Sequence, residues 1–301
     1  MEVALTGSSP APAHVAEDGL ASLPFVVLGV TDGLVDPRWH ALCDVVVEED
    51  DPALARIREN LDVHRITAAT LALLLRGQRR LSVMDGLVAE SSAYSVLQAG
   101  PEFAAWRAAH PVRHDRGDDE GPRVRVERVT GTLSLTLTRP SRLNALDARM
   151  RDELVEGLSL AAADPSVTRV ELRGEGRAFC AGGDLDEFGT RSDPASAHLI
   201  RLERSVARAL ARLDQETVAY IHGATVGSGI ELAAFADRVV AAPGTQIALP
   251  EIGLGLVPGA GGTVSLPRRV GRLRTAWLAF SGATLDAARA LEWGLADEVG
   301  D

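Results

Sequence analysis

The chain has 301 residues, 46% hydrophobic and 24% charged, which is room for one large or two modest domains with a genuine core. Its formal net charge is −11 and all 31 basic residues are arginine. That balance argues against a general nucleic-acid surface, which requires clustered cations, and leaves any phosphate or carboxylate clamp to Arg or to backbone N–H groups. Cys43 and Cys180 are too few for a disulfide scaffold, and no His, Cys, Asp or Glu cluster has metal-ligand spacing, so no metal is expected. Residues 1–20 lack a basic start and a continuous apolar run, and no segment reaches the ~20 apolar residues that span a bilayer. A cytoplasmic protein with no membrane segment is expected.

The first twenty residues, rich in Ala, Pro and Ser, predict a loose terminus. Two short apolar runs, 24–30 and 43–47, are candidate strands. Leu54, Ile57, Leu61, Ile66, Leu71 and Leu74 recur at roughly helical spacing over 52–76. A second helical stretch, 82–109, carries Val83, Leu87, Tyr94, Leu97, Phe103 and Trp106 and is divided by Gly100-Pro101. The charged segment HDRGDDEGPR, 114–123, has no large apolar group and is the best linker in the chain, so the expected division is 1–120 and 121–301.

Beyond the linker, 124–129 and 133–137 alternate like two strands around a Thr130-Gly131-Thr132 turn. An amphipathic helix over 148–163, a strand over 167–173, a long helix over 194–213 and a buried strand over 218–222 follow, with short strands at 239–242 and 246–248. Strands alternating with helices predict an α/β architecture with crossover connections.

Three stretches of this second half stand out. FCAGGDL, 179–185, is a small-residue turn after a strand, whose glycines let backbone N–H groups approach a ligand. ATVGSGIELAAFADR, 224–238, brings Glu231 into the first turn of an otherwise apolar helix, where unpaired N–H groups and the helix dipole favour negative charge. ALPEIGLGLVPGAGGT, 248–263, sets Glu251 in an apolar, glycine-rich loop. Each carboxylate alone reads as a helix-start or loop acid. Together, with two glycine-rich turns able to supply N–H donors, they read as a pair whose proton affinities desolvation and mutual repulsion push apart.

With LTRPSRLNAL (137–146) and GRAFCAGGDLDEF (176–188), these stretches resemble the crotonase superfamily, the enoyl-CoA hydratases and isomerases, over about 123–300 and in the right order. The resemblance implies a crotonase-like ββα superhelical core. It places the backbone N–H groups of Gly183 and Ser228 in an oxyanion hole for a thioester carbonyl, where such donors are typically worth ~3 kcal/mol each. It matches Glu231 to the glutamate that activates water for attack at C3, and Glu251 to the one that delivers a proton to C2. It lays Ala181, Gly182, Asp184 and Leu185 along the coenzyme A portion of the substrate, with Asp184 in a structural role, and brings Arg142 and Arg177 near the CoA phosphates. No cofactor is implied beyond that CoA, and the family's habit favours a homotrimer or a hexamer.

Two departures accompany it. Ser228 stands where the hydratases usually carry Gly, so a side chain is expected to narrow the pocket near the thioester. The family continues past a GLADEV-like segment (294–299) into tail helices that close the acyl pocket, whereas this sequence ends at Asp301. Residues 43–57 and 101–111 resemble that tail, so a mostly helical N-terminal region forming a circularly permuted tail is one expectation and an unrelated helical N-domain is the other. The permuted arrangement would bring Trp106 with Arg107 or Arg113 to the acyl or CoA entrance. The leading functional expectation is hydration of an enoyl-CoA. Isomerase or other lyase chemistry at the same oxyanion hole, or a non-catalytic CoA-binding partner, are the alternatives.

Overall fold

The computed structural model describes residues 1–5, 23–33, 36–113, 121–191 and 193–300. Three strands, β1 (Glu2–Leu5), β2 (Leu28–Thr31) and β3 (Val45–Glu48), form a parallel sheet, with helix α1 (Arg38–Leu42) preceding β3. The loose terminus expected over the first twenty residues therefore needs correction: Glu2 to Leu5 pair in register with Leu28 to Thr31, and Leu5 is buried. Residues 6–22 lie outside the described set. One buried ion pair ties this sheet down. Asp44 accepts from the Val27 N–H (2.8 Å) and from Arg76 (2.6 and 2.8 Å), with Arg272 at 3.4 Å.

Four helices follow: α2 (Leu54–Val63), α3 (Arg65–Gly77), α4 (Val83–Gln98) and α5 (Pro101–Ala109). Three of their starts have identifiable causes. Ser82 caps α4 by accepting the Asp85 N–H (3.1 Å). Pro101, which lacks an N–H, opens α5 where none would be bonded. Glu102 accepts from the first N–H groups of α3, those of Ile66 and Thr67, at 2.8 and 3.0 Å. The division at Gly100-Pro101 thus falls where the sequence placed it.

The second half begins with the hairpin β4 (Val124–Val129) and β5 (Thr132–Leu137), then α6 (Ala148–Ala163), β6 (Arg169–Gly174), α7 (Pro194–Glu203), α8 (Val206–Leu210), β7 (Glu216–Ile221), β8 (Ala224–Val226), α9 (Ser228–Ala233), β9 (Arg238–Ala241) and β10 (Gln246–Ala248). Helices α10 (Gly262–Val270) and α11 (Arg272–Ser281), then β11 (Leu285–Asp286), α12 (Ala287–Trp293) and β12 (Glu298–Val299), complete it. A six-stranded sheet runs β12-β9-β7-β6-β5-β4, parallel except for the β4–β5 hairpin. Its central strand β7 buries Val218, Ala219 and Ile221, as a parallel strand covered on both faces does. A smaller sheet, β11-β10-β8, carries the turns that hold the candidate site.

Two expectations are adjusted here. The helix over 194–213 breaks at Arg204-Ser205, where the Ser205 hydroxyl caps a new helix by accepting the Arg208 N–H. Of the linker, 114–120 lies outside the described residues. Arg123 at its end is buried, paired with Asp147 at 3.0 Å, and its N–H donates to Glu153 (2.6 Å).

One continuous hydrophobic core joins the two halves. It includes Leu71 and Leu75 of α3, Leu87 and Leu97 of α4, Phe103 of α5, and Val264, Leu266 and Phe280 of α10 and α11. Helices α4 and α5 pack directly over the segment 251–263 between β10 and α10.

Candidate active site

The site starts at the turn between β8 and α9. Gly227 leaves the strand with φ +50°, a conformation that L side chains rarely adopt, and a Cβ there would sit 2.5 Å from Glu251 Oε1. Ser228, Gly229, Ile230 and Glu231 follow, all buried. As the first residue of a helix, Ser228 has an N–H with no intrahelical acceptor. The Gly183 N–H is left similarly, because the neighbouring bonds run from Leu146 N to Gly182 O and from Asp184 N to Leu146 O. Neither the Gly183 nor the Ser228 N–H has an acceptor among the described residues, and both residues line one cavity of about 560 Å³ together with Glu231 and Glu251.

The two glutamates meet unlike surroundings. Glu231 Oε2 accepts the N–H groups of Ala260 (2.7 Å) and Gly262 (2.8 Å) at the start of α10. A Cβ at position 262 would lie 2.6 Å from Glu231 Cγ, so glycine is what lets that backbone close on the carboxylate. Burial raises the Glu231 carboxyl to about 7, and the two N–H bonds hold it from rising further. Glu251 opens the 3₁₀ turn Glu251–Leu254, is 8% exposed, and its Oε2 has no hydrogen-bond partner. Burial first, then the nearby Glu231 charge, hold it well above the ordinary carboxylate range. Burying an ionised carboxylate with one oxygen unpartnered costs several kcal/mol, which favours the protonated form of Glu251. The arrangement provides one carboxylate built to accept a proton and one built to hold it.

Three features of this cavity lie outside the sequence reading. Tyr94 and Gln98 of α4 line it, and the Tyr94 ring lies so close to Gly259 that a Cβ there would come within 2.4 Å. Arg201 of α7 lies 4.7 Å from the Tyr94 ring centroid and bonds Ser95 Oγ. Glu90 of α4 is 2% exposed and bonds the same turn that holds Glu231. The signal for Glu90 is in the sequence: it is the one charged residue in the helical stripe Val83, Leu87, Glu90, Tyr94, Leu97.

Asp184 lines the cavity, and its carboxylate bonds Arg139 (2.7 Å) and the Asp186 N–H (3.1 Å), a structural use. Ala181, Gly182 and Leu185 do not line it, and Leu185 is 48% exposed. Arg142 and Arg177 also lie outside it, with Arg177 on the surface. The Ser228 hydroxyl lies 3.9 Å from the buried Cys180 thiol, and Ser228 lines both the main cavity and a small apolar one beside Cys180. Trp106 and Arg107 do not line the cavity, although Arg107 bonds the carbonyl of Phe188, which does. Arg107 lies 4.6 Å from the Trp106 ring centroid and donates to the carbonyls of Leu185 (2.7 Å) and Phe188 (2.5 Å), and the Arg113 N–H donates to Asp186 (3.2 Å). Among the described residues there is no cluster that could hold a metal ion and no helix long and apolar enough to cross a membrane.

Comparison with known proteins identifies the family of the second half. The chain is 37% identical over 175 residues to the 1,2-epoxyphenylacetyl-CoA isomerase of Escherichia coli, covering 57% of this chain and 67% of that one. It is 36% identical over 174 residues to the 2,3-dehydroadipyl-CoA hydratase of the same organism, covering 58% and 68%. The crystal structure of an enoyl-CoA hydratase from Thermoplasma volcanium superposes with a TM-score of 0.57 at 36% identity, over 60% of this chain and 73% of that one. The family model described as enoyl-CoA hydratase/isomerase matches residues 132–301, and the chain belongs to that family.

Proposed function

We propose that this protein is an acyl-CoA enzyme that adds water across the C2–C3 double bond of an enoyl thioester. The observation that carries the reading is the asymmetry of the glutamate pair: Glu231 is held by two N–H donors, while Glu251 is buried with a bare oxygen in the same cavity. Glu231 takes a proton from water as its oxygen bonds to C3. The C2–C3 π electrons move toward the thioester oxygen, where the Gly183 and Ser228 N–H groups receive the enolate charge. Glu251 gives its proton to C2, the enolate electrons return, and the 3-hydroxyacyl thioester is complete. Transfer of the acquired proton from Glu231 to Glu251, directly or through solvent, resets the pair.

Arg142 and Arg177 do not line the cavity and pair with no acid among the described residues, and in this reading they meet the CoA phosphates outside it. The only cofactor in this reading is the CoA carried by the substrate, and a cytoplasmic homotrimer or hexamer is part of the proposal. Double-bond isomerisation is the second reading. It is favoured by the likeness to an enoyl-CoA isomerase/hydratase at 34% identity, and would use one carboxylate to move a proton between two carbons.

Hydration of crotonyl-CoA and longer enoyl-CoAs by the wild type, Glu231→Ala and Glu251→Ala tests both readings. The hydratase reading expects a loss of roughly 10²–10⁴-fold in each variant. Full activity in both would overturn it. A wild type that isomerises, with activity lost only in Glu251→Ala, would establish the second reading instead.

A further inference from the structure

Four consecutive N–H groups at the start of α10 are divided between two carboxylates from opposite halves of the chain. Those of Ala260 and Gly262 go to Glu231 Oε2 at 2.7 and 2.8 Å. Those of Gly261 and Thr263 go to Glu90, at 2.7 Å on Oε1 and 2.9 Å on Oε2, and the Thr263 hydroxyl adds a third bond at 2.7 Å. An α-helix leaves its first N–H groups without internal acceptors, so this turn would ordinarily be bonded by one cap or by water. Here the donors alternate, and both oxygens of Glu90 are occupied. Glu231 Oε1 accepts from no described residue, and Glu231 lines the cavity.

We propose that Glu90 is a positioning residue for the reaction at Glu231. By fixing the N–H groups of Gly261 and Thr263 on one side of the turn, it forces those of Ala260 and Gly262 to converge on a single oxygen of Glu231. The other oxygen is then free to face the reacting water. Glu90 does not meet the substrate, since it does not line the cavity. Its effect reaches the chemistry through the backbone of 260–263. The turn cannot hold this shape unaided, because it is made of Ala260-Gly261-Gly262, with φ +108° at Gly261. Such a segment has many accessible conformations and needs an external tie. Burial and the Glu231 charge raise the Glu90 carboxyl, while the bonds from Thr263 and Gly261 oppose that rise, as expected of an acid kept in place for the bonds it accepts.

The inference rests on the hydratase reading, and its test separates the two. In Glu90→Gln the side chain keeps its size but turns an NH₂ group toward one of the two N–H donors. The expected result on the full chain is a fall of about tenfold or more in kcat for crotonyl-CoA hydration, with KM within about threefold. The Ala260 and Gly262 amide proton resonances should move upfield as their bonds to Glu231 lengthen. Thr263→Val removes one donor to Glu90 and touches no donor to Glu231. It should lower kcat by about threefold with KM unmoved, and it carries the test if Glu90→Gln does not fold. Wild-type kcat in a folded variant, or resonances of Ala260 and Gly262 that stay in place, would overturn the proposal. A wild type that hydrates no enoyl-CoA would overturn the hydratase reading instead, and the two amide resonances would still decide whether Glu90 shapes the turn.

Discussion

Residues 121–300 and residues 23–113 build one cavity from different materials. The second half contributes the backbone donors, the Gly183 and Ser228 N–H groups, and most of the lining side chains, with glycine turns that let Glu231 and Glu251 sit close to main chain. The first half contributes side chains: Tyr94 and Gln98 in the lining, and Glu90, Phe103 and Arg107 behind it. Donors on the backbone are rigid and need only small residues around them, whereas a wall of side chains depends on how well two distant segments dock. Apart from Glu90, whose bonds reach Glu231 through the 260–263 turn, changes in the first half should therefore show in stability and changes in the second half in the chemistry.

The largest expected departure is in Glu251→Gln, which keeps shape and burial but removes the proton that C2 would receive. Its kcat for hydration should fall roughly 10²–10⁴-fold without a drop in the unfolding midpoint, and an active variant would remove Glu251 from the reaction. Asp44→Ala tests the other side of the contrast. It leaves Arg76 buried without its carboxylate and should cost about 3–5 kcal/mol in urea unfolding. The activity of the folded fraction should be unchanged; a lower kcat there would mean that the β1-β2-β3 sheet reaches the site.

Titration gives a smaller, signed effect. Glu231 is raised to about 7 and Glu90 to about 8 in the folded chain, against an ordinary 4.5. Between about 4.5 and 8 the folded state therefore holds more protons than the unfolded one, and this contribution to stability, complete below 4.5, is lost as pH rises. Urea midpoints measured at pH 5 and pH 8.5 should fall with pH, less steeply in Glu231→Gln. An equal slope in that variant would show that Glu231 is not the group responsible. The smallest effect belongs to Ser228→Gly. The N–H remains and only a contact with Cys180 is lost, so kcat should stay within about twofold and stability fall by about 1 kcal/mol or less. A large gain in kcat would mean that the hydroxyl does narrow the thioester site.

The sequence made the second half legible because its signals are local. A glutamate one turn after a glycine run, or next to Pro250 in an apolar loop, announces itself within a dozen residues, and the strands around it alternate or run apolar as their burial requires. The first half was legible only as elements. Helices α2 to α5 followed from spacing and from Gly100-Pro101, but β1 has no meaning until Leu28 lies beside Glu2. Glu90 was visible as an acid in an apolar stripe, yet nothing near it specifies that its partners are Gly261 and Thr263, 171 and 173 residues away. The Arg76–Asp44 pair, 32 residues apart, is hidden for the same reason.

That long reach of Glu90 has a consequence for synthesis. Helix α4 leaves the ribosome well before the turn it must grip, and at roughly 5–20 residues per second the wait is on the order of ten to thirty seconds. Throughout that interval α4 has no α10 to pack against, Tyr94 and Phe103 lack the 255–259 loop that lies on them, and a carboxylate destined for burial is still in water. The sequence distance between Glu90 and the turn it completes thus sets how long this apolar surface waits for its cover.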